Sequence, residues 1–340
     1  MILNKTNRKH GLVASLFLIV PVSINVSHAT DQRDESAVFD VQIYDNFDSP
    51  GGYTLEDYSA RWINPYGLGE MAESAHGDTR TFQDGTFSIT ATPFLTAYDY
   101  SVFDHIKYFA LGQQNFPMPE KGSITFSADI EAMTPGTLPG RVIEGTYIQS
   151  GQPYRAVALE GQQACATLHM IDFTTGQLFD WLVSGNKALA LTERLPSLVT
   201  NSPIPAGIDE IYTQVIDEFD ISPGPHNYAI RYIKKNPFDE VEFLIDGKVV
   251  ASYKNIGIPL DKLGVDFITY PSLGDGELLK DQLQSFSIAH GVFSLLDAFP
   301  FQHPDAPEYA VSIPISNRIF GQGVEATFDN FKVTTKTIIE

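Results

Sequence analysis

The stretch "DISPGPHNYAIRYIKKNPFDEVEFLIDGKVVASY", residues 220–253, decides the fold that this sequence predicts. Apolar and polar residues alternate along 226–233 and again along 241–253, and a period of two is typical of strands with one buried face. Turn-forming residues punctuate these runs, because Ser-Pro-Gly-Pro precedes the first and Asp246-Gly247 lies inside the second. The stretch therefore predicts antiparallel strands joined by tight turns.

The alternating pattern continues on both sides of this stretch, for example along 122–132 and 324–337. Helical spacing is rare and short, and its best example is 278–289. No segment repeats with a period of about 20 to 50 residues, which disfavours propellers and solenoids. We predict an all-β, antiparallel β-sandwich of the jelly-roll type, formed as one domain by residues 38–340 after a disordered stretch at 30–37.

The N-terminal segment has the pattern of a secretory signal peptide. Lys5, Arg8 and Lys9 precede an apolar run over 11–24, and small residues follow at the two positions that a signal peptidase reads. The alternative is a membrane anchor, but the run is shorter than the ~20 residues that a bilayer requires. We predict a signal peptide over residues 1–29 and a mature protein that is secreted or periplasmic, without membrane contact.

Acidic residues outnumber basic residues, 42 to 22, which gives a formal net charge of −20. Removal of residues 1–29 takes away three basic and no acidic groups and changes this charge to −23. Such a surface repels phosphate, so nucleic acid and anionic membranes are poor partners. An anionic polysaccharide is disfavoured too, unless calcium bridges it to the protein.

The two ends of the predicted domain carry the same triplet, Asp-Asn-Phe, in "IYDNFDS" (43–49) and "TFDNFKV" (327–333). In a sandwich, pairing of the first and last strands covers two edges that would otherwise be exposed. We therefore expect the two ends to be neighbours, with Phe47 and Phe331 in the core. Carboxylate oxygens there suit a structural calcium ion, although Asp-Asn also simply initiates turns. The calcium ligands that we expect are Asp45, Asp48 and Asp329.

Residues 220–253 resemble part of the concanavalin A-like proteins, especially family 16 glycoside hydrolases and laminin-G-type modules, in which an Asp-x-Ser turn leads to His-x-Tyr, a strand and an Asp-Gly hairpin. "ATFDNFKV" at 326–333 is similar to their final strand, whose Asp is often a calcium ligand, and "YDNFDSP" at 44–50 is similar to their first. Residues 105–137 and 171–195 also resemble an uncharacterised bacterial family. The resemblance implies a concanavalin A-like sandwich.

The hydrolase chemistry of family 16 does not come with this resemblance. Those enzymes carry their two carboxyl groups on one strand as Glu-x-Asp-x-Glu or Glu-x-Asp-x-x-Glu, and no such motif occurs here. The corresponding stretch, 166–181, contains Asp172 and Asp180 but no glutamate. A sandwich without these acids is expected to bind a ligand or to do other chemistry.

A candidate acid–base set lies in "FDHIKYF" (103–109), where His105 and Lys107 would share a face of an extended segment. Together with Tyr108, and with Asp172 or Asp180 nearby, they could remove a proton and protonate a leaving oxygen, as a lyase or an isomerase does. The alternative is that His105 is a hydrogen-bonded strand residue and Lys107 a solvated charge.

Candidate ligand contacts are Trp181, Trp62 and His169. A tryptophan ring offers a flat apolar platform for a sugar, and Trp181 follows a predicted hairpin in which Gly176 takes a positive φ. The chain has 23 Phe, 15 Tyr and two Trp, most of which must lie in the core. His169 is either a ligand contact or a satisfied core residue. The Pro-rich segment 296–317 predicts a loop over one mouth of the groove.

The predicted function is recognition of a neutral or calcium-bridged glycan, or a similar ring-bearing ligand, in a groove lined by aromatic side chains. The alternatives are a lyase or isomerase that uses the acid–base set, and a structural or surface-interaction protein without a pocket. We expect no organic cofactor. Zinc is disfavoured because His-x-His, His-Glu-x-x-His and cysteine pairs are missing, and Cys165, the one cysteine, is predicted to be a buried small hydrophobic residue.

Overall fold

The computed structural model describes residues 36–63, 78–96, 104–204, 206–268, 271–297 and 307–339. The predicted signal peptide lies outside these ranges. The strands are β1 (Ser36–Asp45), β2 (Trp62–Ile63), β3 (Thr79–Gln83), β4 (Thr86–Ala91), β5 (Ile106–Pro117), β6 (Gly122–Met133), β7 (Arg141–Tyr147), β8 (Pro153–Ala158), β9 (Cys165–Asp172), β10 (Gln177–Ser184), β11 (Lys187–Arg194), β12 (Tyr212–Asp220), β13 (His226–Lys234), β14 (Glu240–Ile245), β15 (Lys248–Lys254), β16 (Ser285–Phe293), β17 (Val311–Ser312) and β18 (Val324–Ile339).

Helices are short and connect the strands. In the described ranges, α-helices occupy Leu55–Ser59, Glu160–Gln163, Ser197–Thr200, Leu260–Leu263 and Ile315–Arg318, and 3₁₀ turns occupy Ile208–Glu210, Leu295–Asp297 and Pro307–Tyr309. The segment 278–289, which has the best helical spacing, is not a helix: its first part forms turns, and Ser285 begins β16. None of the helices that the structure describes is long and apolar enough to span a bilayer.

Two large antiparallel sheets form the sandwich, and a small third sheet lies beside them. The first has the order β15-β14-β13-β6-β18-β4-β3, with β1 also paired to β18. The second has the order β12-β11-β10-β9-β16-β5-β2, and the third is β17-β7-β8. The predicted all-β, antiparallel sandwich is confirmed.

The last strand, β18, holds the two ends of the domain together. One edge of β18 pairs with β6, and the other pairs first with β4 and then with β1. Asp45 lies opposite Phe331, and the rings of Phe47 and Phe331 pack in the core with centroids 5.9 Å apart. The prediction that the ends are neighbours is confirmed. Strand β1 begins earlier than expected, because Ser36 and Ala37 already pair with β18.

The main core lies between the two large sheets, and strand alternation decides which side chains enter it. Trp181 is fully buried there between β10 and the opposite sheet, and its indole Nε1 donates a 2.9 Å hydrogen bond to the Ala229 carbonyl. Trp62 is also buried, and its Nε1 donates to Asp45 Oδ2 at 2.8 Å. The prediction that either tryptophan contacts a ligand is therefore corrected: both rings face the core.

The opposite face of the seven-stranded sheet carries a second apolar cluster. It includes Cys165, which is fully buried, so its prediction as a small core residue is confirmed. Burial raises the pKa of its thiol, which keeps it protonated and unreactive. The polar side chains of Thr167, His169 and Asp180 lie next to this cluster, and they belong to the candidate site.

Candidate ligand-binding site

A cavity of about 510 Å³ lies on the face of the seven-stranded sheet that is turned away from the main core. Strands β9, β10 and β11 form its floor. The third sheet contributes Tyr147, Tyr154 and Val311 to the wall, and the loops near Pro196 and Ser272 contribute further residues. This volume is in the range of small-molecule sites, so the cavity can hold a ring-bearing ligand.

Two hairpins bring the polar residues of the floor together. The turn after Asp172 sets the register between β9 and β10, so His169 lies opposite Asp180. The tight turn at Gly185-Asn186 sets the register between β10 and β11, so Leu191 lies opposite Asp180 and Glu193 lies diagonally across from it. Because side chains alternate along each strand, all three polar groups face the cavity.

His169 is fixed by hydrogen bonds through both ring nitrogens. Its Nδ1 lies 2.6 Å from Asp180 Oδ1, and its Nε2 lies 2.6 Å from the Thr167 hydroxyl. The exposed fractions are only 0% for Thr167, 1% for Asp180 and 4% for His169. These three residues therefore form a rigid layer beneath the cavity surface, with Asp180 holding the imidazole in place.

Glu193 is the acid that a ligand can reach. It is less buried than Asp180, and the Thr213 side chain forms a hydrogen bond with it. Burial raises the pKa of Glu193 to about 8, and the negative charge of Asp180 adds to the effect. Burial also raises the pKa of Asp180, while His169 acts in the opposite direction. Glu193 therefore holds a proton at neutral pH and can donate a hydrogen bond.

Aromatic side chains form much of the wall. The rings of Tyr147 and Tyr154 meet edge to face with centroids 5.6 Å apart. His105 packs its ring against Phe293, with centroids 5.4 Å apart, and both line the cavity. Tyr309 lines it too and is 53% exposed, so part of its ring is open to solvent. Tyrosine rings, rather than tryptophans, supply the aromatic surface.

The structure does not bring His105, Lys107 and Tyr108 together at one site. Only His105 lines the cavity. Lys107 is fully buried, where its Nζ pairs with the Asp297 carboxylate and donates to the Asp104 carbonyl. Tyr108 points into the main core and pairs with Tyr58 through their hydroxyls. Tyr108 faces the main core, and strand alternation is interrupted at Lys107, because Ile106 pairs with Phe293 and Tyr108 with Val292.

Asp172 has a structural position at the hairpin between β9 and β10. Its carboxylate accepts hydrogen bonds from the backbone N–H groups of Thr174 and Thr175, at 3.2 and 3.1 Å, and from the Thr175 hydroxyl at 2.6 Å. Gly176 takes φ +76° in this turn, as expected. Of the two aspartates predicted for catalysis, Asp180 faces the cavity and Asp172 holds the turn that positions it.

The predicted calcium ligands lie at the paired ends of the domain. Asp45 is occupied by protein donors, because it accepts hydrogen bonds from Phe47 N–H, the Tyr53 hydroxyl and Trp62 Nε1. Burial and the neighbouring carboxylates, including Asp48, raise the pKa of Asp329. No group of three or more His, Cys, Asp or Glu side chains arranged to hold a metal ion is found in the described ranges. Asp45 therefore does not fit as a metal ligand, while Asp48 and Asp329 stay as candidates.

Sequence reasoning missed Glu193 and the pairing of His169 with Asp180. Both could have been found from hairpin registers. The four residues between Asp172 and Gln177 imply that His169 faces Asp180, and the two-residue turn at Gly185-Asn186 extends the same count to β11. The segment 296–317 contributes Tyr309 and Val311 to the cavity, in agreement with its prediction as a cover, although residues 298–306 lie outside the described ranges.

Comparison with known protein families shows to which family the chain belongs. A family model matches residues 70–337, most of the sequence. The chain belongs to a family of unknown function, DUF6081. A comparison with curated protein sequences gives no match. The predicted membership of a family without an assigned activity is confirmed.

Solved structures with a similar architecture include an endo-1,3-β-glucanase from Streptomyces sioyaensis, at 11% identity and a TM-score of 0.42 over 89% of this chain and 97% of that chain. An alginate lyase from Pseudomonas aeruginosa is 8% identical, with a TM-score of 0.35 over 87% and 96%. The Emp47p carbohydrate recognition domain is 9% identical, with a TM-score of 0.31 over 82% and 99%. At these identities the likeness concerns the fold alone.

Proposed function

We propose that this protein binds a carbohydrate, or a similar ring-bearing ligand, in the cavity on the outer face of the seven-stranded sheet. One observation carries the proposal: an open cavity of about 510 Å³ combines tyrosine rings in its wall with a fixed polar floor. Rings supply apolar contact with a sugar face, and a few oriented polar groups supply specificity. Proteins of similar architecture act on or recognise glycans, which supports the proposal only as an analogy of fold.

The charges of the cavity narrow the ligand class. Asp180 and Glu193 face it, and none of its described lining residues is Lys or Arg. A uronate would bring its own negative charge next to these acids without a compensating cation. Neutral glycans are therefore favoured over acidic ones.

A glycan array tests the proposal directly. The expected result is selective binding to a small set of uncharged or amine-bearing oligosaccharides, with weaker binding after Tyr309→Ala. Tyr309 suits this test because its exposed ring can be removed at little cost to the fold. A protein that is folded by circular dichroism and binds no glycan at all would contradict the proposal.

A second candidate function is acid–base catalysis on the bound ligand. The observation that favours it is the protonated Glu193 next to the His169–Asp180 pair, since proton transfer needs a donor that holds its proton near neutral pH. The test is turnover of oligosaccharides that bind on the array. Catalysis by Glu193 requires that Glu193→Gln retains binding and loses turnover; equal turnover in the variant would exclude it.

The proposal also includes export of the protein, which rests on the signal-peptide pattern of residues 1–29. Expression in a bacterial host, followed by fractionation and N-terminal sequencing, tests it. The expected mature protein begins at Thr30 and is found outside the cytoplasm. An uncleaved protein that remains in the cytoplasmic fraction would contradict export.

A further inference from the structure

The cavity floor holds two carboxyl groups, and in the described ranges only one of them, Asp180, has a basic partner, the imidazole of His169 at 2.6 Å. Asp180 and Glu193 lie on neighbouring strands and face the same space. Among the described lining residues, only His105 and His169 can become cationic. The titratable residues of the lining are His105, Tyr147, Tyr154, His169, Asp180, Glu193, Tyr212 and Tyr309.

The buried carboxylate of Asp297 shows how this protein pairs an acid with basic side chains. Asp297, which is fully buried, contacts Lys107 Nζ, and its Oδ1 lies 2.9 Å from Arg318 Nη1. Glu193 instead has the Thr213 hydroxyl and the neighbouring Asp180, and no ion pair of Glu193 is found in the part of the chain that the structure describes. Glu193 therefore lacks a cationic partner among the described residues, and a cationic group of a ligand can take that position.

We propose that the cavity selects a ligand with a primary amine, of the amino-sugar class, and that its ammonium group contacts the Glu193 carboxyl group, above the His169–Asp180 pair. This inference rests on the proposed carbohydrate-binding function and names the substrate class of the same site. The ammonium group would meet carboxylate oxygens on the floor, while the tyrosine rings of the wall pack against the sugar and interact with the cation through their faces.

Binding of such a ligand has a consequence that binding of a neutral sugar lacks. The ammonium group favours the ionised form of Glu193, so the proton that Glu193 holds in the free protein is released when the ligand binds. Acetylation of the amine removes both the charge and this proton release. The two forms of one oligosaccharide therefore make a matched pair of probes.

Titration calorimetry of the full mature protein at pH 6 tests the inference, with a glucosamine trisaccharide and its N-acetylated counterpart as the probes. The same titration in two buffers of different ionisation enthalpy gives the number of protons released on binding. We expect the amine form to bind about tenfold more tightly or better, with release of a large fraction of one proton. Glu193→Gln should abolish the proton release and most of the preference, while its affinity for the acetylated form is retained.

The control is Glu218→Gln, which removes a carboxylate of β12 that is not part of the cavity lining and should leave the preference unchanged. Equal or tighter binding of the acetylated form, or an unchanged preference in Glu193→Gln, would overturn the amine inference and leave the proposed function standing. Binding of neither probe by the folded protein, together with an empty glycan array, would overturn both.

Discussion

Asp180 on β10 and Glu193 on β11 lie diagonally across neighbouring strands, and both face the cavity. Their proximity gives the two carboxyl groups different roles. Asp180 is fixed by His169 beneath the surface, and Glu193 stays protonated where a ligand can reach it. Separation of two acids by their environments is a common feature of sites that bind or transfer protons.

Glu193 should make the protein less stable as the pH rises. Its pKa is about 8 in the folded state and near 4.5 when unfolded, so between these values the folded state binds more protons, and the free energy of unfolding falls as pH increases. The loss should reach about 3 kcal/mol by pH 8, since each pKa unit corresponds to about 1.4 kcal/mol and partial exposure reduces the total. Urea unfolding of wild type and Glu193→Gln, measured from pH 5 to 8, checks this. As the pH rises, the free energy of unfolding of the wild type should fall relative to that of the variant. Parallel curves would contradict this role of Glu193.

His290 should have the opposite effect at low pH. It is fully buried among aromatic rings, with Nε2 2.9 Å from the Tyr58 hydroxyl, and burial lowers its pKa to about 3. The unfolded state therefore binds more protons between pH 6.5 and 3, and stability is lost as pH falls through that window, by about 1.4 kcal/mol for each pH unit. His290→Phe should lose less stability on acidification, as measured by the urea midpoint.

The matched control for this prediction is His226→Gln. His226 lies partly buried at its turn and pairs with Asp246, and its pKa is raised, chiefly by that hydrogen bond. Its contribution is present below about pH 6.5 and is lost as pH rises, so the variant should not resist acid. Equal loss of stability of wild type and His290→Phe on acidification would contradict the proposed effect of His290.

Ligand affinity should depend on tyrosines of the cavity wall and not on the tryptophans. Tyr309→Ala should weaken binding about tenfold, a loss of about 1.4 kcal/mol, because it removes ring contact with the ligand. Trp181→Phe changes a ring that faces the main core, so it should lower the melting temperature and leave affinity intact. Calorimetric titration with a glycan from the array measures both. A Trp181→Phe protein that is folded yet has lost affinity would refute this division.

Calcium binding at the paired ends stays a prediction, now limited to Asp48, Asp329 and nearby carbonyl groups. Bound calcium would lower the pKa of Asp329, which burial and nearby acids raise, and it would stabilise the junction of β1 and β18. We expect the melting temperature to rise with calcium and to fall with a chelator, and Asp329→Asn to abolish the difference. A midpoint that does not move in wild type would remove calcium from this site.

Much of the fold was accessible from the sequence because strand alternation and turn residues are local signals. The runs at 226–233 and 241–253 became β13, β14 and β15, and the shared triplet correctly placed the two ends side by side. Alternation also puts Asp180 and Trp181 on opposite faces of β10. It does not tell which face is covered by the second large sheet. The sequence therefore predicts Trp181 as a ligand contact, although its ring faces the main core.

The site was harder to predict because its decisive contacts are distant in sequence. From the sequence alone, Lys107 is interpreted as a solvated charge or an acid–base group. The structure shows that it pairs with Asp297, which lies 190 positions away in the chain. The sequence predicts Asp45 as a metal ligand. The structure shows that its Oδ2 already accepts hydrogen bonds from the Tyr53 hydroxyl and the Trp62 indole. His169 and Asp180 were both named, but their pairing needed the hairpin register.

The position of β18 has a consequence for how the protein is made. This strand lies inside the larger sheet, between β6 on one side and β4 and β1 on the other, and it is the last strand of the sandwich to leave the ribosome. The larger sheet therefore cannot close before β18 has been made, and its long-range pairings form late.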